Sequence, residues 1–122
     1  MNIEIKGKTY NGSVTVYDQF TLPQVELIEA AMFAEVPYTE KKEKDESGNE
    51  KTLRYVRMTE DDKSKLPAVL ACVENWELSN FPKDLSILTF PLSPRRTTHN
   101  LIKKIFNEID KIYNGELDIP NE

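Results

Sequence analysis

The side chains best suited to chemistry are few in this chain of 122 residues. It has one histidine, His99, and one cysteine, Cys72, which excludes a multi-histidine metal site and any Cys-x-x-Cys motif. Its four glycines form no phosphate-binding loop. Cys72 lies in an apolar stretch where burial makes a thiol inert, and His99 is expected at the surface beside polar neighbours. We therefore expect no catalytic residue, no metal and no cofactor.

A group of four cations is the charged feature that most suggests a function. Its members lie along the first half of the last predicted helix: Arg95, Arg96, Lys103 and Lys104. Arg95 and Arg96 come at the positive end of the helix dipole, where cations are disfavoured. One interpretation is pairing with Glu74 or Glu77 on a neighbouring helix. The other is a docking site for an acidic or helical partner.

The acidic residues indicate structure more than catalysis. Asp61 and Asp62 fall in the first turn of a predicted helix, where the helix dipole favours negative charge. The chain has 21 acidic and 16 basic residues, for a net charge of -5. This sign argues against general binding to nucleic acid backbones.

Hydropathy argues against a membrane protein. No apolar run approaches the roughly 20 residues that span a bilayer, and the opening MNIEIKGK lacks the apolar region of a secretory signal. We expect a cytoplasmic protein.

The elements that position these residues centre on a predicted helix over residues 66–78. Its apolar residues recur at helical spacing: Leu66, Val69, Leu70, Val73 and Trp76. A short turn that begins at Thr59 and ends near Lys65 precedes it, so that Pro67 falls in the first turn of the helix. This helix is expected to anchor the core through Trp76.

The first third of the chain predicts a hairpin followed by a helix. Ile3 and Ile5 alternate with charged residues, and residues 10–17 read as a second strand. The preferred turn is at Gly7-Lys8, and Asn11-Gly12 is the alternative. The following helix begins at Thr21, with Pro23 in its first turn and Gln24 positioned to complete a capping box, and it ends before Pro37.

The remaining segments complete an α+β fold: an N-terminal β-hairpin packed with three main helices in a single domain, 1–122. Residues 40–51 have no apolar side chain and predict a solvated hairpin tip or a mobile charged loop between extended arms, with a turn at residues 47–49. Residues 83–91 are expected to cross the core. The last helix begins at Ser93-Pro94, carries an apolar stripe and stops at Asn114-Gly115. Residues 116–122 read as a short tail.

Four segments outside the charged stretch read KGKTYNGSVTVYDQFTLPQVELIEAA, ACVENWEL, FPLSPRRTTHNLIKKIFNEI and IYNGELDIPNE. In this order they resemble the small tail assembly chaperone proteins of tailed bacteriophages and prophages. The resemblance covers most of the chain and includes no catalytic signature. It implies a non-catalytic factor in the host cytoplasm that binds the tape measure protein, keeps it soluble and helps recruit tail tube protein subunits.

Two other functions stay open. A small virion structural protein of the tail, neck or decoration would share phage-like sequence and bind permanently. An enzyme or a nucleic-acid module would need a basic groove near residues 95–104 lined by exposed aromatic side chains. Self-association also stays open.

Overall fold

The computed structural model describes residues 1–115 as three helices and two antiparallel sheets. Along the chain the elements are β1 (Asn2–Lys6), β2 (Asn11–Val16), α1 (Leu22–Met32), β3 (Tyr38–Lys44), β4 (Glu50–Val56), α2 (Met58–Cys72), β5 (Val73–Leu78) and α3 (Arg95–Asn114). The predicted α+β class with an N-terminal hairpin is confirmed. The predicted tail at residues 116–122 lies outside the described residues.

β2 is the central strand of a sheet with the order β1-β2-β5. Val14 lies opposite Ile3 on one side and opposite Trp76 on the other. Alternate residues of β1 and β2 are buried, as a sheet with one face on the core requires: Ile3, Ile5, Val14 and Val16. The preferred turn at Gly7-Lys8 is confirmed, and Asn11-Gly12 instead begins β2.

The predicted helix over residues 66–78 is wrong in both bounds. α2 starts at Met58, runs through Pro67 without a break and ends at Cys72, and the next six residues form β5. Alternation explains the strand, because Trp76 and Leu78 are half-buried while Glu77 between them is exposed. Pairing with β2 also satisfies backbone groups that a longer helix would have left open on that strand. Burial of Leu66 and Val69 offsets the hydrogen bond that Pro67 cannot donate.

The other two helices agree with the sequence more closely. At the start of α1 the Thr21 backbone N–H donates to Gln24 Oε1 at 2.7 Å, as the capping box predicts. α3 begins one residue later than predicted and ends in a left-handed Gly115 with a φ of 75°. Its apolar stripe is buried, and it packs against α2: Leu101, Ile102, Ile105, Phe106 and Ile109.

The two segments predicted to be irregular differ in outcome: the charged one takes the hairpin form, and the apolar one is corrected. Residues 40–51 mostly form a hairpin, because β3 extends to Lys44 and β4 starts at Glu50. Opposite charges pair across its strands and stabilise it, as at Glu40 and Arg54, which are 3.3 Å apart. The turn at residues 47–49 is confirmed. Residues 83–91 do not cross the core, because Phe90 alone among them is buried and Leu88 is 96 % exposed.

Trp76 still contributes to the core, although from β5. Its ring stacks on Phe81 at a centroid distance of 5.3 Å and meets Phe90 edge-on at 5.6 Å. Tyr10 completes this aromatic cluster from the first hairpin, through an edge contact with Phe81 at 5.1 Å. Within residues 1–115, no helix combines the length and the apolar character needed to cross a membrane.

A substitution of Gly12 tests the close packing of β2 against β5. Gly12 has a φ of 145°, and a Cβ built there would overlap the Glu77 carbonyl oxygen of β5. Gly12→Ala should therefore lower the free energy of unfolding by more than about 2 kcal/mol. Gly48→Ala is the matched control, because Gly48 also has a positive φ, 84°, with no atom within 4 Å of the added carbon. Its cost should be about 1 kcal/mol. Equal losses in urea denaturation would contradict the close approach of β2 and β5.

Candidate functional site

A buried carboxylate joins the two helices that carry the predicted site. Asp62 on α2 is 2 % exposed and contacts two residues of α3, the Arg95 guanidinium and His99 Nδ1, the latter at 2.8 Å. Asp62 lies four residues before Leu66, so both project from one face of α2 toward α3. The assignment of Asp62 to helix-end electrostatics alone was therefore wrong. Pairing of the cations with Glu74 or Glu77 was also wrong, because those residues lie on β5 and Arg95 pairs with Asp62.

Asp61 extends this contact into a cluster of five ionisable side chains. It pairs with Lys65 at 3.0 Å and lies 4.0 Å from His99 Nδ1. Asp61, Asp62 and His99 present potential metal ligands within 4.8 Å of one another. Lys65 and Arg95 already balance the two carboxylates, so this donor set fits an ion-pair network better than a cation site.

His99 is not the surface residue that its polar neighbours suggested, since its side chain is 15 % exposed. Burial lowers the pKa of His99 from its ordinary value, and Arg95, Lys103 and Lys65 act in the same direction against the raising effect of Asp61. The imidazole is therefore neutral at pH 7. We assign the proton to Nδ1, because the Asp62 carboxylate beside it accepts hydrogen bonds.

An open cleft of about 570 Å³ lies next to this cluster, and we call it the basic cleft. Its lining comes from the end of β4, the start of α2 and the first half of α3: Val56, Arg57, Met58, Thr59, Arg95, Arg96, His99, Asn100 and Lys103. No acidic residue belongs to this lining. Both helices begin at the cleft, so their dipoles add positive potential to that of the side chains.

The four predicted cations occupy three different environments. Arg95 is held by Asp62, whereas Arg96 and Lys103 are exposed in the basic cleft. Lys104 lines a neighbouring groove with Ile5 and Tyr10, and its Nζ donates to the Glu4 carbonyl at 3.1 Å. The cluster predicted on one helix is thus divided between an internal ion pair and exposed surface, where Lys103 and Lys104 also line one further pocket together.

Sequence reasoning missed Arg57 as a member of the cleft. It was assigned to an extended arm, whereas the structure starts α2 at Met58 and makes Arg57 the residue at the N-terminal cap of that helix. Among residues 1–115, Arg57, Arg96 and Lys103 form no ion pair. The cleft therefore offers three cations to an acidic partner.

Cys72 lies away from this cleft at the end of α2. It is fully buried, and burial raises its pKa to about 11. The predicted position of Cys72 in the core is confirmed.

Comparison with known proteins gives no relative. No family model, no curated protein and no solved structure matches the chain.

Removal of the Asp62 carboxylate tests the link between α2 and α3. Asp62→Ala leaves Arg95 and His99 without their partner and should lower the free energy of unfolding by about 3–5 kcal/mol. The control is Arg96→Ala, because Arg96 follows Arg95 in the sequence but is exposed in the basic cleft. This variant should change the free energy of unfolding by less than about 0.5 kcal/mol. Asp62→Leu combined with Arg95→Met should recover much of the loss, because an apolar pair needs no charge compensation. Urea denaturation compares the three variants. A loss below about 1 kcal/mol for Asp62→Ala would refute the buried pair.

The pH dependence of stability tests the state of His99. Its pKa is lower in the folded protein than the ordinary 6.5, so the unfolded chain binds more protons as the pH falls. The free energy of unfolding should thus decrease from pH 7 toward pH 5, with a contribution from His99 of at most about 1.4 kcal/mol per pH unit. His99→Gln cannot titrate and should show a shallower decrease. Stability that increases toward pH 5 in the wild type relative to this variant would reverse the assignment.

Proposed function

We propose that this protein is a non-catalytic tail assembly chaperone of a tailed bacteriophage or prophage, which acts in the host cytoplasm. Its client is the tape measure protein, and it helps recruit tail tube subunits. The observation that carries the proposal is the basic cleft on a protein whose net charge is -5. The sequence resemblance supplies the class of client.

The composition of the cleft suits reversible binding of an amphipathic acidic segment. Val56, which is 47 % exposed, and the half-buried Met58 provide apolar surface. Arg57, Arg96 and Lys103 supply cations around it. An apolar centre with a charged rim is the usual anatomy of a specific transient interface. The rim charges mainly accelerate association and select the partner.

The cleft supports nucleic-acid binding less well. None of its nine lining residues is Phe, Tyr or Trp. Single-stranded nucleic acids bind largely by stacking bases on such side chains. A small virion structural protein is the alternative to the chaperone, and mass spectrometry of purified particles separates the two. A chaperone is absent from the particles, whereas a structural component is present in fixed copy number.

Charge reversal inside the cleft tests the proposal. Arg96→Glu combined with Lys103→Glu changes two exposed cations, and Arg95 is left unchanged because its pairing with Asp62 holds α3. The melting temperature should hardly change, since exposed charges contribute only about 0–1 kcal/mol. The soluble fraction of the co-expressed tape measure protein should fall several-fold, and binding should lose its salt dependence.

The matched control is Lys63→Glu combined with Lys83→Glu, which makes the same change of charge at exposed positions outside the cleft. It should keep the client soluble as the wild type does. If the wild type itself leaves the client insoluble, the chaperone function is refuted. If the cleft variant performs like the control, the client binds elsewhere.

A further inference from the structure

The β3–β4 hairpin has no extensive contact with another described element. Every residue of β3 is exposed, and in β4 only Leu53 is half-buried. The two strands pack chiefly on each other and form a sheet of their own. A two-stranded hairpin is only marginally stable in water, and each of its outer edges offers unpaired backbone groups to another strand.

The hydrogen bonds of the turn show which residues of β3 face outward. The Asp45 N–H donates to the Asn49 carbonyl at 2.9 Å, and the Gly48 N–H donates to the Asp45 carbonyl at 3.0 Å. Backbone bonding alternates along an antiparallel pair, so the odd-numbered residues of β3 bond to β4. The even-numbered residues Glu40, Lys42 and Lys44 therefore direct their N–H and C=O groups to the free edge.

The charges of β3 are complementary to themselves when the strand is reversed. In an antiparallel pair of two copies centred on Lys42, Glu40 faces Lys44 and Lys41 faces Glu43, each twice by symmetry. Only Lys42, opposite its own counterpart, makes a like-charge contact. A pair centred on Lys41 keeps only one kind of attractive contact, Glu40 with Lys42. A pair centred on Glu43 sets Glu43 opposite itself and Lys42 opposite Lys44, and both contacts are repulsive. The centre at Lys42 is also a position whose backbone groups point outward.

The edge of β4 is less suitable. A reversed pair centred on Thr52 would match Glu50 with Arg54. The same pairing sets Lys51 opposite the apolar Leu53, so the β4 edge offers one kind of attractive charge pair where the β3 edge offers two.

We propose that β3 pairs antiparallel with β3 of a second copy of this chain, about a two-fold axis at Lys42, so that two hairpins form one four-stranded sheet. The pairing is isologous, because the same strand contributes the same residues from each copy. The contact between the two Lys42 side chains weakens the sheet, and we expect a reversible dimer. This inference goes beyond the proposed function and uses none of the cleft residues.

Complementary charge reversals test the register by sedimentation equilibrium. In a dimer of Lys41→Glu, the new glutamate of each copy faces Glu43 of the other copy. In a dimer of Glu43→Lys, the new lysine of each copy faces Lys41 of the other copy. Each variant alone should therefore dimerise at least roughly tenfold more weakly than the wild type. An equimolar mixture of the two variants restores both attractive pairs and should dimerise like the wild type. Lys42→Gln removes the like-charge contact and should strengthen the dimer. Lys63→Glu, an exposed change of the same charge on α2, should have no effect.

Amide hydrogen exchange gives a second readout of the same edge. Protection of the N–H groups of Glu40, Lys42 and Lys44 should increase with protein concentration, because they bond only in the dimer. The N–H groups of Lys41 and Glu43 bond to β4 and should be protected in the monomer as well. A wild type that stays monomeric at millimolar concentration would overturn the proposal. Failure of the mixture to dimerise, with hairpin exchange rates intact in both variants, would overturn it as well.

Discussion

The buried charge of Asp62 is the constraint on which the arrangement of α2 and α3 depends. A carboxylate that is 2 % exposed must be compensated by nearby donors, and α3 supplies both Arg95 and His99. These two residues lie one turn apart, so the contact sets the rotation of α3 about its axis as well as its position. The apolar stripe alone would allow the helices to slide, whereas a hydrogen-bonded charge does not. The direction in which Arg96 and Lys103 face follows from that rotation.

This constraint separates two roles within one run of cations. Arg95 is a structural residue, because its charge is used inside the protein. Arg96 and Lys103, on the same helix, are exposed and form no ion pair among the described residues. A basic surface on an acidic protein attracts acidic partners locally while the rest of the surface repels them, which favours one orientation of approach. The proposed client contact uses this difference.

Much of the fold could be predicted where one local signal dominated. The capping residues of α1 and the apolar stripe of α3 depend on neighbours within a few turns, and both were predicted correctly. The strand at residues 73–78 was not predicted. Its alternation extends over only three residues and follows a longer helical pattern, so the sequence favours a helix unless β2 is known to need a partner strand. For the charged stretch the sequence left a hairpin tip and a mobile loop open for a related reason, since pairs such as Glu43 and Lys51 face each other only once the turn has formed. Asp62 and Arg95 are separated by 33 residues in the sequence, so the local spacing of residues could not predict their ion pair.

The strand order β1-β2-β5 has a consequence for how the protein is made. During synthesis β1 and β2 emerge first and can pair at once, but the other edge of β2 has no partner until residues 73–78 have left the ribosome. Contacts between segments so distant in the chain are slow to form, because the entropy of closing a long loop is lost before any hydrogen bond between the strands can offset it. The hairpin of β3 and β4 closes locally and can form while β2 waits. The nascent chain therefore passes through a stage in which the backbone groups along one edge of β2 have no partner strand, and the sheet is completed only when β5 arrives.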